Sequence, residues 1–448
     1  MNVLHRLSVL SLVCLLSGPA LAACIDEERP DPNPNGAAGA SVPVDAPARD
    51  QLLNLMSSAR QRSNAVGAAR LLAEASASDV EETKASGKPQ ASLVTQVGYS
   101  GSRSDGTGDS FGSSTSGAQI RASVNVAAPL FDFGRLDKLA LWRASLAEAA
   151  RLGQISTEEQ VALQVVSLSV ERSRYRLQAQ VYKQYANKMS CLVDALGQIV
   201  KADKGRASEL VQARKTQSQA ELALDQSMTV LRQIEVRLRR FVGDPLPAGG
   251  GMASVLGNLP KLDEVQGEIE RSTDVAALTA QADAAANYAD AIVAGQKPQI
   301  SWNGSGTKAV GAGNPASWSV GLAISVPLLN PGADAQASSA RKRAEAARLQ
   351  RAEGLDARKS RAAEIYEQGS SAMERARRMV EVLRDSDSVR NFTLQQWQQL
   401  GKRSLFDVMS AEGEHYNLRV NYVNALHDAQ QSNAMLRSLG RGLDVSLR

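Results

Sequence analysis

The chain has 448 residues, with 51 Lys and Arg against 47 Asp and Glu and a formal net charge of +4. So slight an imbalance, spread along the chain, argues against a nucleic-acid-binding protein. Only 4% of residues are aromatic and 22% are charged, which argues against ordinary thick-cored globules and for extended helices meeting through small side chains.

In chain order, residues 1–23 read as a secretory signal. His5 and Arg6 form a basic n-region, Leu7 to Leu16 an apolar h-region and Ala20-Leu21-Ala22 a small-residue cleavage site. No later run approaches the ~20 apolar residues of a membrane-crossing helix. An exported chain of this kind is expected to be soluble, lipid-anchored or a β-barrel. Leu21-Ala22-Ala23-Cys24 resembles a bacterial lipobox and makes Cys24 the candidate lipidation site, with plain cleavage beside Ala22 as the alternative. Cys14 lies in the signal and Cys191 in an expected helix, so no sensible pair and no disulfide framework is expected. Residues 24–49, rich in Pro, Asn, Gly and Asp, read as a flexible tether.

The prolines organise the rest. None falls between Pro47 and Pro89, between Pro129 and Pro245, between Pro260 and Pro298, or after Pro331. An interior proline costs a helix ~3 kcal/mol, and these windows are rich in Ala, Leu, Gln, Glu, Lys and Arg. They predict helices over 50–86, 137–201, 208–241, 262–294, 334–400 and 404–439. The stretch 137–201 would span ~100 Å at 1.5 Å per residue, and each pair of shorter helices would match one long helix end to end.

Between the helices lie segments with a period of two. In 117–127, Ala118, Ile120, Ala122, Val124 and Val126 alternate with Gln119, Arg121, Ser123 and Asn125. In 316–326, Trp318, Val320, Leu322, Ile324 and Val326 alternate with small polar residues. Segments 91–99 and 299–305 are their expected partners, joined by Gly- and Ser-rich loops at 100–116 and 306–315. Such alternation fits strands with one lipid face and one watery face, or half-buried strands of a soluble sandwich. Gln119, Arg121 and Asn125 would face a lumen by the alternation alone. Four membrane strands cannot close a barrel, and open edges are not viable in lipid. Three chains pooling twelve strands would enclose a lumen, so a homotrimer is expected.

The layout is duplicated. Lys88-Pro89-Gln90 recurs as Lys297-Pro298-Gln299, and Ala128-Pro129-Leu130-Phe131-Asp132-Phe133-Gly134 recurs loosely as Val326-Pro327-Leu328-Leu329-Asn330-Pro331-Gly332. The offset of the second recurrence, from Pro129 to Pro327, aligns Glu209 with Asp407. The expected organisation is signal 1–23, tether 24–49, first repeat 50–248 (helix, β-hairpin, long helix, helix), linker 249–261, second repeat 262–440 and tail 441–448. In each signature, proline would end the strand, Gly134 or Gly332 would turn the chain, and Asp132 or Asn330 would cap the next helix.

With its segment Pro129-Leu130-Phe131-Asp132-Phe133-Gly134-Arg135 and its turn from Gly401 through Ser404-Leu405-Phe406-Asp407 to Met409, the chain resembles the TolC family of outer-membrane export ducts from about residue 50 onward. The resemblance implies a mainly helical fold with a β-barrel portion. A homotrimer would form a twelve-stranded barrel in the outer membrane of a Gram-negative bacterium, with most of each chain in a long helical barrel in the periplasm. It implies no enzymatic activity and no cofactor, and it implies as partners a periplasmic adaptor protein and an inner-membrane ABC transporter or proton-driven pump. By the same resemblance, Asp407, with Arg403 ahead of it and Glu209 as its first-half counterpart, would form the periplasmic gate. Ser410 stands where the family has a further aspartate, so the acidic ring would be single. Gly205, Arg206, Gly401 and Lys402 would be the adaptor-docking tips. The competing reading of Asp407 is a solvated helix N-terminal acid that favours the dipole.

The tip Arg206-Ala207-Ser208-Glu209-Leu210 resembles that of the family branch serving type I protein or adhesin secretion, which implies that cargo. Small-molecule or multidrug efflux is the alternative cargo. A non-pore periplasmic coiled-coil scaffold or adaptor is the rival of a different class, although an adaptor would need a β-rich domain where this chain has only a turn. Glu412, Glu414, His415 and His427 lack metal-ligand spacing, so no metal is expected. No Walker A, nucleophile-elbow or dinucleotide motif is present.

Overall fold

A computed structural model describes residues 46–104, 113–246, 255–311, 316–400 and 403–447. The elements in order are α1 (Ala46–Arg62), α2 (Asn64–Ala85), β1 (Gln90–Ser104), β2 (Ser113–Phe131), α3 (Arg135–Ala202), a 3-10 turn (Lys204–Arg206), α4 (Ala207–Val242), α5 (Leu262–Ile269), α6 (Thr273–Ala294), β3 (Gln299–Gly311), β4 (Ala316–Ser325), α7 (Ala333–Leu400), α8 (Leu405–Leu439) and α9 (Leu443–Leu447). The chain divides into two compact units: one holds the sheet with residues 64–157 and 270–358, and the other the remaining helical segments.

The long helices fall where the proline-free windows predict them. α3 and α7 have 68 residues each, and α4 and α8 have 36 and 35. Two expected helices are each broken in two. The 50–86 helix breaks at Ser63, and the 262–294 helix breaks between Ile269 and Thr273. Neither break carries a proline, so the windows were blind to them. α1 starts at Ala46, inside the expected tether, and α9 lies in the expected tail. Leu443 of α9 is buried in one cluster with Leu52, Met56, Val166 and Leu256, so the C-terminal segment belongs to a core. Cys191, expected to stand alone, is disulfide-bonded.

In the sheet-bearing unit, small residues set the helix spacing. Ala289, Ala340 and Ala344 form a buried cluster between α6 and α7. A Cβ on Gly354 would stand 2.5 Å from Leu278 Cδ1, so any larger residue there would have to turn the Leu278 side chain aside. The ion pair Arg358–Asp274 at 2.8 Å joins the same two helices, and Lys138–Asp290 at 3.1 Å ties α6 to α3.

The sheet is antiparallel in the order β1-β2-β3-β4. Its strands run further than the alternation indicates: β1 continues to Ser104, β2 spans Ser113–Phe131, and β3 continues to Gly311. Ladder pairs such as Ser102↔Thr115 and Lys308↔Ala316 zip segments expected to be loops. Pro129 does not end its strand. β2 continues past it to Phe131, with a register shift between Pro129 and Phe131 where the missing N–H is absorbed.

The strand-to-helix turn behaves as expected at Asp132. Its Oδ2 accepts from Leu136 N at 2.8 Å and its Oδ1 from Gly134 N at 3.1 Å. Phe133 and Gly134 take positive φ of 54° and 78° to make the bend. Asn330 Oδ1 accepts from Gly332 N at 3.2 Å, but Gly332 is not in the left-handed region.

Candidate functional site

The register sorts the sheet residues onto two faces of opposite chemistry. Leu93 pairs with Val124 and Val97 with Ile120, and Ile120 in turn pairs with Val310. Gly306 pairs with Trp318, Gly304 with Val320 and Trp302 with Leu322, so the apolar positions of all four strands share one face. That face is bare: Val97 is 76% exposed and Trp318 82%. The opposite face holds the expected lumen residues Gln119, Arg121 and Asn125. It is laced by side-chain hydrogen bonds, Ser123–Thr307 at 3.2 Å and Ser305–Ser319 at 2.9 Å. Gln119 is 7% exposed and Ala309 0%. Cover on the polar face is confined to the two central strands, since β4 is exposed at every position and β1 is exposed on both faces over 91–99. Such a surface can line water while its back meets an apolar solvent. No helix among the described residues is long and apolar enough to cross a membrane.

The α3–α4 turn is built by a residue that sequence reasoning missed. Asp203 Oδ1 accepts from Gly205 N at 2.9 Å, and its Oδ2 lies 3.8 Å from Arg206 Nε. A Cβ at Gly205 would stand 3.1 Å from Asp203 Oδ1, so glycine lets the turn close over that carboxylate. Aspartate as an N-cap two residues before a glycine was a readable signal. Glu209 lies in the first turn of α4, with Oε2 buried and without a hydrogen bond.

At the start of α8, Ser404 and Asp407 form a reciprocal capping box. Asp407 N donates to Ser404 Oγ at 3.3 Å, and Ser404 N donates to Asp407 Oδ2 at 3.1 Å. Arg403 Nη1 is 3.9 Å from Asp407 Oδ2, and its Nε donates to Gln396 Oε1 at 3.2 Å. Arg403 and Asp407 therefore lie side by side, while Glu209 joins neither. Asp407 also acts as a helix-capping acid, so its carboxylate is held in place. Gly401, Lys402 and Cys24 lie outside the described residues.

Further along α8 is a charge cluster that no local motif announces. Glu412 is fully buried, with Oε1 3.8 Å from Lys188 Nζ of α3 and Oε2 3.6 Å from Arg390 Nη1 of α7. Arg390 Nη2 also donates to Asp387 Oδ1 at 2.8 Å. Tyr185 stacks on Tyr416 with centroids 4.8 Å apart. Burial first, and the Glu412 charge second, push the Tyr185 hydroxyl up to about 12. Tyr185 loses its proton at a higher pH when folded than when unfolded, near 10. Its contribution is therefore complete below pH ~10 and is lost as pH rises towards 12. Alkaline unfolding followed by circular dichroism is expected to begin at higher pH in Tyr185→Phe than in the parent.

The helix histidines have structural surroundings. His427 Nδ1 bonds the Val423 carbonyl at 2.7 Å, and His415 packs edge-on against Tyr416. Among the described residues no group of His, Cys, Asp and Glu is placed to hold a metal ion.

No protein-family model matches the chain, and no curated sequence matches it significantly. Solved structures do match in fold. CusC, whose structures concern folding and transmembrane channel formation, superposes with a TM-score of 0.75 at 17% identity, over 88% of this chain and 92% of that one. The outer-membrane protein VceC of Vibrio cholerae gives 0.73 at 17%, over 88% and 97%. The outer-membrane channel OprN gives 0.75 at 16%, over 93% and 98%. The chain has the fold of these TolC-like outer-membrane channels along nearly their whole length.

Proposed function

We propose that the chain is one subunit of an outer-membrane export duct. In this reading three copies pool their sheets into a twelve-stranded barrel, with the polar face inward and the apolar face in lipid, and the helices form a conduit in the periplasm. The observation that carries it is the four-stranded sheet itself. Its apolar face is exposed, and β1 and β4 are edges whose backbone groups need partners in lipid. Pairing β4 of one copy with β1 of the next supplies them. The matched lengths of α3 and α7 and of α4 and α8 support a duplicated, pseudo-symmetric wall. Likeness to solved outer-membrane channels supports the location.

The duct would be passive, driven through a periplasmic adaptor and an inner-membrane transporter, with no catalytic step in this chain. The tips at Gly205-Arg206 and Gly401-Lys402 would meet the adaptor, and Asp407 with Arg403 would narrow the periplasmic entrance. Three carboxylates around one axis repel unless cations compensate. Neutralising Asp407 removes that charge but also half of a capping box worth about 1 kcal/mol. In planar bilayers the purified protein is expected to conduct, and Asp407→Ala to conduct more and to lose any block by divalent cations. Silence from both proteins would refute the duct. For cargo, the resemblance of the tip at 206–210 is the ground for protein or adhesin secretion, with small-molecule efflux as the alternative. A deletion strain separates the two by loss of a secreted protein or by gain of sensitivity to toxic compounds.

A further inference from the structure

The polar face of the sheet carries a single formal charge. Followed in register across the four strands, its other described positions are Ser, Thr, Asn, Gln, Gly and Ala, with Val94 and Pro129 as exceptions. The charge is Arg121, which pairs in register with Ala309. Its Nη2 donates to Gln119 Oε1 at 3.3 Å. Gln119, almost fully buried, is thus an amide prop for the guanidinium. Among the described residues no carboxylate pairs with Arg121. Lys308, the cation two pairs nearer the hairpin end than Gly306↔Trp318, stands on the opposite, apolar face across from Ala122 and Ala316.

We infer that Arg121 makes the membrane part of the duct prefer anions, acting as a cationic ring that receives permeant carboxylates, phosphates or chloride. This rests on the duct reading above, in which three copies bring three guanidiniums to one water-filled lumen. A guanidinium keeps its charge at any physiological pH and offers several donors in a planar fork. One donor bonds the Gln119 amide, which orients the fork and leaves donors for a passing oxyanion. With no carboxylate among the described residues paired to it, the charge acts across the lumen on the scale of the Debye length, about 10 Å at 0.1 M salt.

The test is the reversal potential in a planar bilayer under a potassium chloride gradient, with every sheet variant made in the Asp407→Ala background so that the entrance does not set selectivity. Arg121→Gln is expected to lower the chloride-over-potassium permeability ratio by roughly twofold to fivefold, and Arg121→Glu to shift it further towards potassium. Lys308→Gln, on the lipid-facing side, is expected to leave the ratio unchanged. Coincident reversal potentials for the parent, Arg121→Gln and Arg121→Glu would overturn the ring while leaving the duct standing. A shift produced by Lys308→Gln instead would overturn it too, by reversing the faces. Absence of any conductance would overturn the duct and the ring with it.

Discussion

Glu412→Ala is expected to destabilise the helical unit that contains it by about 3–5 kcal/mol, the range for breaking one partner out of a buried ion pair. Glu412 is fully buried and faces Lys188 and Arg390, whose side chains are each 5% exposed. Removing the carboxylate takes the anion away from two cations that water barely reaches. Arg390 keeps Asp387 at 2.8 Å in either case. Glu412→Gln keeps the volume and loses the charge, and is expected to fall between parent and alanine variant. Replacing Glu412, Lys188 and Arg390 together with apolar residues of similar size is expected to recover most of the loss, because the desolvation cost leaves with the charges. Thermal unfolding in detergent, followed by circular dichroism, reads all of these. A loss below about 1 kcal/mol in Glu412→Ala, the size expected of an exposed pair, would show that the cluster behaves as if solvated.

A charge placed on the apolar face of β4 should abolish assembly. Val320 lies mid-strand opposite Gly304, and its neighbour Ser319 lies opposite Ser305 on the polar face. Val320→Arg puts a guanidinium where lipid is expected, at about 2–4 kcal/mol per copy near the bilayer midplane. Three copies multiply that cost in a trimer. Ser319→Arg adds the same side chain one residue away, facing water, and is expected to assemble normally. Trimer bands resistant to detergent on unheated gels, together with outer-membrane fractionation, distinguish the two. Equal tolerance of both substitutions would mean that no lipid covers that face, and the sheet would then belong to a soluble assembly.

The two sites differ in how far local sequence announces them. The faces of the sheet could be read from 117–127 and 316–326 because side-chain direction in a strand alternates strictly, so one strand's sequence states both its faces. Strand ends could not: Ser100 to Ser104 and Gly306 to Gly311 lack alternation and are held by ladder bonds to a neighbour. The pairing of Arg403 with Asp407 was legible because both lie within one turn. Asp203 was overlooked although its capping pattern is local. The cluster at Glu412 was not legible at all. Lys188, Arg390 and Glu412 come from three helices, and each alone looks like an ordinary surface charge on a polar helix.

The sequence by itself determined where long helices run, since proline and glycine act on their own few residues of backbone. It also determined which strand positions are apolar and where the helix-capping aspartates and serines sit. Tertiary structure alone decided the burial of α9 in a core, the ladder beyond the predicted strand ends and the pairing of Glu412 with Lys188 and Arg390. Each of these depends on what another segment places nearby. Propensity and periodicity are short-range, whereas burial, strand pairing and charge compensation are set by residues a hundred or more positions away.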